Sequence, residues 1–427
     1  MELKRYKLGE VAKVEISGVD KKTKDGETPV RLCNFMDVYY NWAITQDMAP
    51  NLMKASANPN EISRFSLRKG QVAFTKDSET RDDIGIAAYI ADDFDNVILG
   101  YHCALITPDE SKVIGAYINA FMHTSLIQTY FSNNASGSGQ RYSLSVETME
   151  RMPLFLPSLE EQKRVADLFS NIDKKIALNR QINANLEALA KQLYDYWFVQ
   201  FDFPDANGKP YKSSGGKMVY NEKLKREIPD GWEVKSINQI SSLCRGVSYA
   251  KDDLLNEGGI LVLRGNNIEN NKLVYDANVA FVPDNLVSSD QHLYKGDIVM
   301  TMSSGSKEHI GKCIYFYQDS EHTFGAFLSK ITPVRKYAQM VFLFFCSNYY
   351  KVKIKSICNG TGINNLTNQT FDNIYLVIPD EHTLERFNVI IEPIFDATGN
   401  NESEVSSLTK QRDELLPLLM NGQVTVE

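Results

Sequence analysis

Residues 158–198 read SLEEQKRVADLFSNIDKKIALNRQINANLEALAKQLYDYWF, 41 positions without a proline or a glycine. Apolar side chains recur at Val165, Leu168, Ile172, Ile182, Leu186, Leu189, Leu193 and Tyr196, in steps of three and four, with Lys175 and Asn179 in the two vacant places. That spacing predicts one long helix whose apolar stripe repeats about every 3.5 residues and packs on another helix along a narrow seam. At ~1.5 Å per residue the helix is roughly 60 Å long, too long to bury its stripe alone.

A partner lies in the same chain. Adding 222 to Val165, Leu168, Ile172, Leu186, Leu193 and Trp197 gives Phe387, Ile390, Ile394, Leu408, Leu415 and Leu419, and Asn179 maps onto Asn401. Pro393, Gly399 and Pro417 interrupt the second pattern, so a bend or break near Gly399 is expected there.

The repetition extends beyond the helices. LRKGQVAFT (67–75) matches LYKGDIVMT (293–301), Ile84-Gly85 matches Ile310-Gly311, and Ile106-Thr107-Pro108 matches Ile331-Thr332-Pro333. Gly137-Ser138-Gly139 matches Gly360-Thr361-Gly362, Pro157 matches Pro379, and Arg31 and Asn34 are matched with Arg264 and Asn267 at an offset of 233. Fixed order with an offset drifting from 233 to 222 is the mark of a duplicated domain with loop insertions and deletions. Short β-rich runs such as QVAFT, CIYFY and HCALIT, separated by polar turns, make each copy a strand-bearing α+β unit.

The expected organisation is a first globular domain over 1–157, a first long helix over 158–200 and a connection rich in Pro, Gly and Ser over 201–228. A second domain over 229–379 and a second long helix with the C-terminal tail over 380–427 follow. The fold class is α+β, with two similar domains separated by two long antiparallel helices forming a coiled coil, a dumbbell with an approximate two-fold axis.

Composition narrows the function. The net charge of −8 argues mildly against a nucleic-acid partner. Residues 1–157 carry 17 basic and 20 acidic side chains and residues 229–379 carry 14 of each, so the acidic excess lies largely in the helical parts. The longest apolar run, MVFLFF at 340–345, is far short of the ~18 residues of a membrane span. The N-terminus lacks the apolar core of a signal peptide. Six cysteines without a CxxC pair or a neighbouring histidine cluster read as free thiols, which points to a reducing cytoplasm and against zinc.

The segments LPSLEEQKRVADLFSNIDKKI, NANLEALAKQLYDYWFVQFDFPDANGKPYKSSGGKMVYNEKLKREIPDGWE and LTKQRDELLPLLMNGQV resemble the specificity subunit of type I restriction-modification systems, and the likeness covers the whole chain with its two-fold repeat. The resemblance implies two target-recognition domains, each reading one half of a split double-stranded DNA sequence. It implies paired helices that set their spacing and dock two methyltransferase subunits, with restriction subunits in the full complex. Catalysis, S-adenosylmethionine, ATP and magnesium then belong to those partners, and this chain carries no cofactor of its own.

The residues offer little chemistry to set against that. Asn58-Pro59-Asn60-Glu61 lacks the second proline and the aromatic of an amino-methyltransferase motif. Gly305 to Cys313 has one residue too many for a phosphate loop and ends in cysteine. Pro229-Asp230-Gly231-Trp232-Glu233-Val234-Lys235 crowds its acids too closely for a nuclease metal site. Binding candidates remain: Gln140, Arg141 and Tyr142 after the first Gly-x-Gly, and Asn364 and Asn365 after the second. Arg is suited to guanine edges and Gln or Asn to adenine. Lys351, Lys353 and Lys355 are candidates for phosphate contacts, with Lys76 and Arg81 in one turn and Ser304 and Lys307 in its counterpart. A protein-binding scaffold without DNA readout is the alternative, and a stand-alone nuclease is disfavoured by the missing site.

Overall fold

A computed structural model of the chain describes residues 2–137, 141–274, 279–360 and 365–426. The chain divides into two compact units, Met1–Asn179 with Glu404–Glu427, and Arg180–Ser403. Each unit therefore contains one domain and a half of each long helix.

The first unit closes its domain with an antiparallel pair, Lys4–Lys7 on Pro153–Leu156. Its main sheet places Cys103–Pro108 between Ala12–Ile16 and Val72–Thr75, and Ala87–Ile90 next to the last. Every residue of Val72–Thr75 is buried because the sheet is covered on both faces. Successive side chains point to opposite sides. Val72 and Phe74 join the core with helices Gly115–Met122 and Ser125–Asn134, while Ala73 joins Ala88, Ile90 and Leu105 in a second core. A smaller sheet pairs Thr28–Cys33 antiparallel with Met53–Ala57 and parallel with Val97–Leu99.

The second unit repeats the plan. Glu233–Ser236 pairs with Tyr375–Ile378, and Leu328–Pro333 lies between Ser241–Arg245 and Ile298–Thr301. Ile260–Leu263 pairs antiparallel with Phe281–Val282 and parallel with Thr323–Phe324. Gly85 and Gly311 occupy the same turn, with φ of 82° and 79°, and each N–H donates to the threonine that ends the preceding strand. Only glycine takes that conformation without strain.

The backbone pairing corrects one register. Cys33 pairs with Leu99 and Leu263 with Phe324. The N–H of Asn34 donates to Asp37 and that of Arg264 to Asn267, each opening a short helical turn. Asn34 thus corresponds to Arg264 and the offset is 230, whereas the sequence pairing of Arg31 with Arg264 is three residues out. Arg31 instead donates to the carbonyl of Leu52, just before the neighbouring strand Met53–Ala57. The 201–228 segment is also more than a connection. Phe203 stacks on Trp232 at 4.8 Å and Phe201 meets it edge-on at 5.7 Å, while Met218–Asn221 and Arg226–Pro229 form a hairpin, so the segment belongs to the second unit's core.

The first long helix spans Leu159–Tyr194 and ends in a wider turn, Asp195–Val199. Ser158 and Glu161 cap its start reciprocally. The second spans Glu381–Met420 without a break, so the interruption expected at Gly399 does not occur. A Cβ at Gly399 would lie 2.5 Å from Cβ of Tyr317. The glycine permits that close approach, at a helix-propensity cost of about 1 kcal/mol.

In each unit the two helix halves run antiparallel. In the first, Val165, Phe169, Ile172 and Ile176 share a core with Leu416, Leu419 and Met420, and Glu404 receives Lys175 at 2.7 Å and the Asn179 amide at 2.8 Å. Leu168, Leu408 and Leu415 pack on this core partly exposed. In the second, buried Asn183 donates to the Thr398 carbonyl and accepts from Asn401, and Trp197 meets Phe387 at 5.6 Å. Leu193 and Ile394 pack at this core's edge, and Leu186 is half-buried.

One of the two heptad positions is shifted by a residue from the sequence expectation. Ile182, Leu189 and Ile390 are exposed, at 38%, 45% and 42%, while Asn183, Ala190 and Ile391 face inward. Tyr196 likewise yields to Trp197. The polarity of Asn183 hid the true seam, because its amide is satisfied inside it by Asn401 and Thr398.

Candidate nucleic-acid interface

The first unit gathers its chemistry where the turn after Val72–Thr75 meets the loop before Cys103. Tyr142–Ser143 pairs with Asp77–Ser78 and with Ser136–Gly137, which brings Arg141 to that edge. A Cβ at Gly137 would lie 2.1 Å from the Arg141 carbonyl, so the hairpin needs glycine there. Asp77 is 7% exposed and is the anchor. Its carboxylate accepts from Lys76 at 2.8 Å and from Arg141 at 3.1 Å, and His102 Nδ1 lies 2.8 Å from it and 2.5 Å from the same Arg141 nitrogen. Burial alone would raise its pKa, but hydrogen bonds from His102, Lys76 and Ser143 and the charge of Lys76 outweigh it and bring it down to about 2.

Cationic and aromatic groups surround this anchor. The Arg81 guanidinium lies 5.2 Å from the centre of the Tyr142 ring, the Lys21 ammonium lies 5.8 Å from that of Tyr101, and Tyr101 touches His102 at 3.7 Å. Arg141 stays exposed. One carboxylate thus fixes an arginine beside a lysine and a histidine, an arrangement suited to phosphate and base edges.

The second unit builds the same place differently. The N–H of Lys76 donates to the His102 carbonyl and that of Leu144 to the Lys76 carbonyl. Met302 donates to Phe327 and Leu366 to Met302 in the same pattern. Met302 therefore stands for Lys76, Ser303 for Asp77 and Phe327 for His102. Phe327 is 66% exposed. Ser303 bridges to Asn365, and its hydroxyl donates to the Asn365 side-chain oxygen. Arg245 donates to the carbonyl of Ala326, next to Phe327.

Of the residues expected from sequence, Lys76, Arg81, Arg141 and Tyr142 converge on one edge. Asn365 reaches the corresponding edge. Ser304 caps the next turn through its hydroxyl to the Ser306 N–H, with exposed Lys307 following. Lys351, Lys353 and Lys355 are exposed on the helix Asn348–Gly360. Lys351 and Lys355 share a face, but Lys353 lies about 200° round the axis and does not join them. Gln140 and Asn364 lie outside the described residues. The sequence reading missed Asp77, His102, Ser303 and Phe327. The match of Ile106-Thr107-Pro108 with Ile331-Thr332-Pro333 carried the signal, since counting back from it sets His102 opposite Phe327.

Among the described residues no group of His, Cys, Asp and Glu could hold a metal ion, the six cysteines are unpaired, and no helix is long and apolar enough to cross a membrane.

Comparison with known proteins agrees with this duplication. The family model for the type I restriction modification DNA specificity domain matches twice, at residues 2–188 and 229–405. The chain is 25% identical over 324 residues to the MjaIX specificity subunit of Methanocaldococcus jannaschii, covering 74% of this chain and 70% of that one. It is 22% identical over 415 residues to the HindI specificity subunit of Haemophilus influenzae, covering 85% and 88%. With the EcoKI specificity subunit of Escherichia coli it shares 31% identity over 208 residues, 47% of this chain and 44% of that one. In fold it resembles the solved S subunit of a type I restriction-modification system from M. genitalium, with a TM-score of 0.58 and 14% identity over 98% of this chain and 96% of that one.

Proposed function

The chain belongs to the type I restriction modification DNA specificity family, and from that premise we propose that each of its two units reads one half of a split double-stranded DNA target. The observation that carries this is the matched placement of the two edges. The same backbone frame presents Lys76, Asp77, His102 and Arg141 in one unit and Ser303, Phe327 and Asn365 in the other. Duplicated scaffolds with unlike side chains at one place are what two independent half-site readers require. Lys351 and Lys355 add phosphate contacts that position without specifying.

In this proposal the paired long helices fix the spacer between half-sites and dock two methyltransferase subunits, joined by restriction subunits in the full complex. The chain itself is non-catalytic, and S-adenosylmethionine, ATP and magnesium act on the partners. The cytoplasm is its place of work. The test is to map methylation in cells carrying this chain with its methyltransferase, before and after residues 1–157 are exchanged for those of a relative. A split motif in which one half alone changes is expected. A motif whose halves change together, or no motif, would overturn the reading and favour a scaffold that binds protein only.

A further inference from the structure

We propose that the two edges demand different base chemistry: a guanine read by Arg141 in the half-site of the first unit, and a thymine paired with adenine read by Phe327 and Asn365 in that of the second. The inference rests on the half-site reading above and goes further, to the class of base pair.

In the first unit the argument is electrostatic and geometric. A free arginine has many rotamers to lose on binding. Arg141 is held through one terminal nitrogen, 3.1 Å from Asp77 and 2.5 Å from His102 Nδ1, and Asp77 is itself fixed by Lys76. The guanidinium carries five N–H donors in a rigid fork, so most remain for a ligand. Two acceptors side by side on one base edge, O6 and N7, occur on guanine in the major groove. Lys76 is 14% exposed at its side chain and committed to Asp77, so Arg141 is the group of this pair that reaches outward. An adenine would set its N6 amino donor against the arginine and leave both unpaired.

In the second unit the charged anchor is gone. Ser303 replaces Asp77, and Phe327, a residue 66% exposed, replaces His102. An aromatic ring left in water at the position where its counterpart bears a hydrogen-bonding histidine is suited to an apolar contact. The thymine methyl is the apolar group that the major groove offers. Asn365 is exposed and its side-chain oxygen already accepts from Ser303. One lone pair and both amide hydrogens remain, the set that pairs with N6 and N7 of adenine. Arg245, held at the Ala326 carbonyl beside Phe327, supplies a cation for the flanking backbone.

The test uses the full chain with its methyltransferase subunits and duplexes bearing the mapped motif, the halves having been assigned by the domain exchange. Replacing each guanine of the first half-site in turn by 7-deazaguanine removes N7 alone. One position is expected to lose about tenfold in affinity with the wild-type chain and to lose nothing further with Arg141→Ala. Replacing each thymine of the second half-site by uracil removes the methyl alone. One position is expected to lose about fourfold, a loss absent with Phe327→Ala. Both side chains are exposed, and recognition of the opposite half-site by each variant reports that the fold is intact. If no guanine of the first half-site responds, or if Arg141→Ala keeps the response, the guanine assignment is overturned. The same holds for thymine and Phe327→Ala. A chain without any sequence preference would fail the half-site reading itself, whereas a split motif insensitive to these substitutions would sink the base assignment alone.

Discussion

Replacing Asp77 by Asn should weaken the first unit and loosen its sequence discrimination while strengthening its grip on DNA of any sequence. The stability part follows from the carboxyl's shift. Its pKa falls from 3.8 to about 2 in the folded chain, and a tenfold change in proton affinity is worth ~1.4 kcal/mol, so the ion cluster contributes about 2 kcal/mol at neutral pH. The sign follows from the lowered value: the contribution is complete above pH ~3.8 and is lost as pH falls from there through about 2. The charge part is independent. Asn cannot neutralise Lys76 or Arg141, so the edge gains one positive charge and one further phosphate contact becomes available. Arg141 meanwhile loses its anchor and pays rotamer entropy when it binds. Amide hydrogen exchange over Val72–Thr75 and Cys103–Pro108 reads the local stability, and a salt titration on random and motif-bearing duplexes reads the binding. Faster exchange, tighter random binding and a smaller ratio of motif to random affinity are expected together. Unchanged exchange, or random binding that weakens, would refute Asp77 as the anchor of this edge.

Three further outcomes follow from other parts of the molecule. Removing Lys351 and Lys355 together should weaken binding to all sequences and flatten its salt dependence, while Lys353→Ala alone leaves the slope unchanged, because Lys353 is on the other side of its helix. His123 stacks on Trp42 at 4.4 Å, with Arg412 5.0 Å from that ring and Asp413 nearby, and burial lowers its pKa to about 4. The first unit should therefore lose up to about 3 kcal/mol as pH falls from ~6.5 towards about 4, and His123→Gln should remove most of that slope in urea melts followed by hydrogen exchange. Asn183→Ala should cost the second unit about 1–3 kcal/mol by orphaning Asn401, and a paired change of Asn183 and Asn401 to Leu should cost less than the sum of the two single changes.

The sequence by itself determined the duplication, the α+β class of each unit and the two long helices. These are local or periodic properties: the spacing of Val165, Ile172, Phe387 and Ile394 is set by helix geometry, and QVAFT and DIVMT by the pleat of a strand. Family membership was legible for the same reason, since long contiguous segments carried it. Lys76, Arg81, Arg141 and Tyr142 were legible as chemistry but not as one site. Only the tertiary structure decided what polar groups do once enclosed. Asn183 replaced Ile182 in the seam because Asn401 and the Thr398 carbonyl satisfy its amide there, and hydropathy along one strand of sequence cannot register a partner more than 200 residues away. Gly399 marked close packing on Tyr317 rather than a break. Asp77, His102 and Arg141 meet because a sheet edge and a hairpin converge on them, and the sequence spacing between them holds no period that a helix or strand would impose.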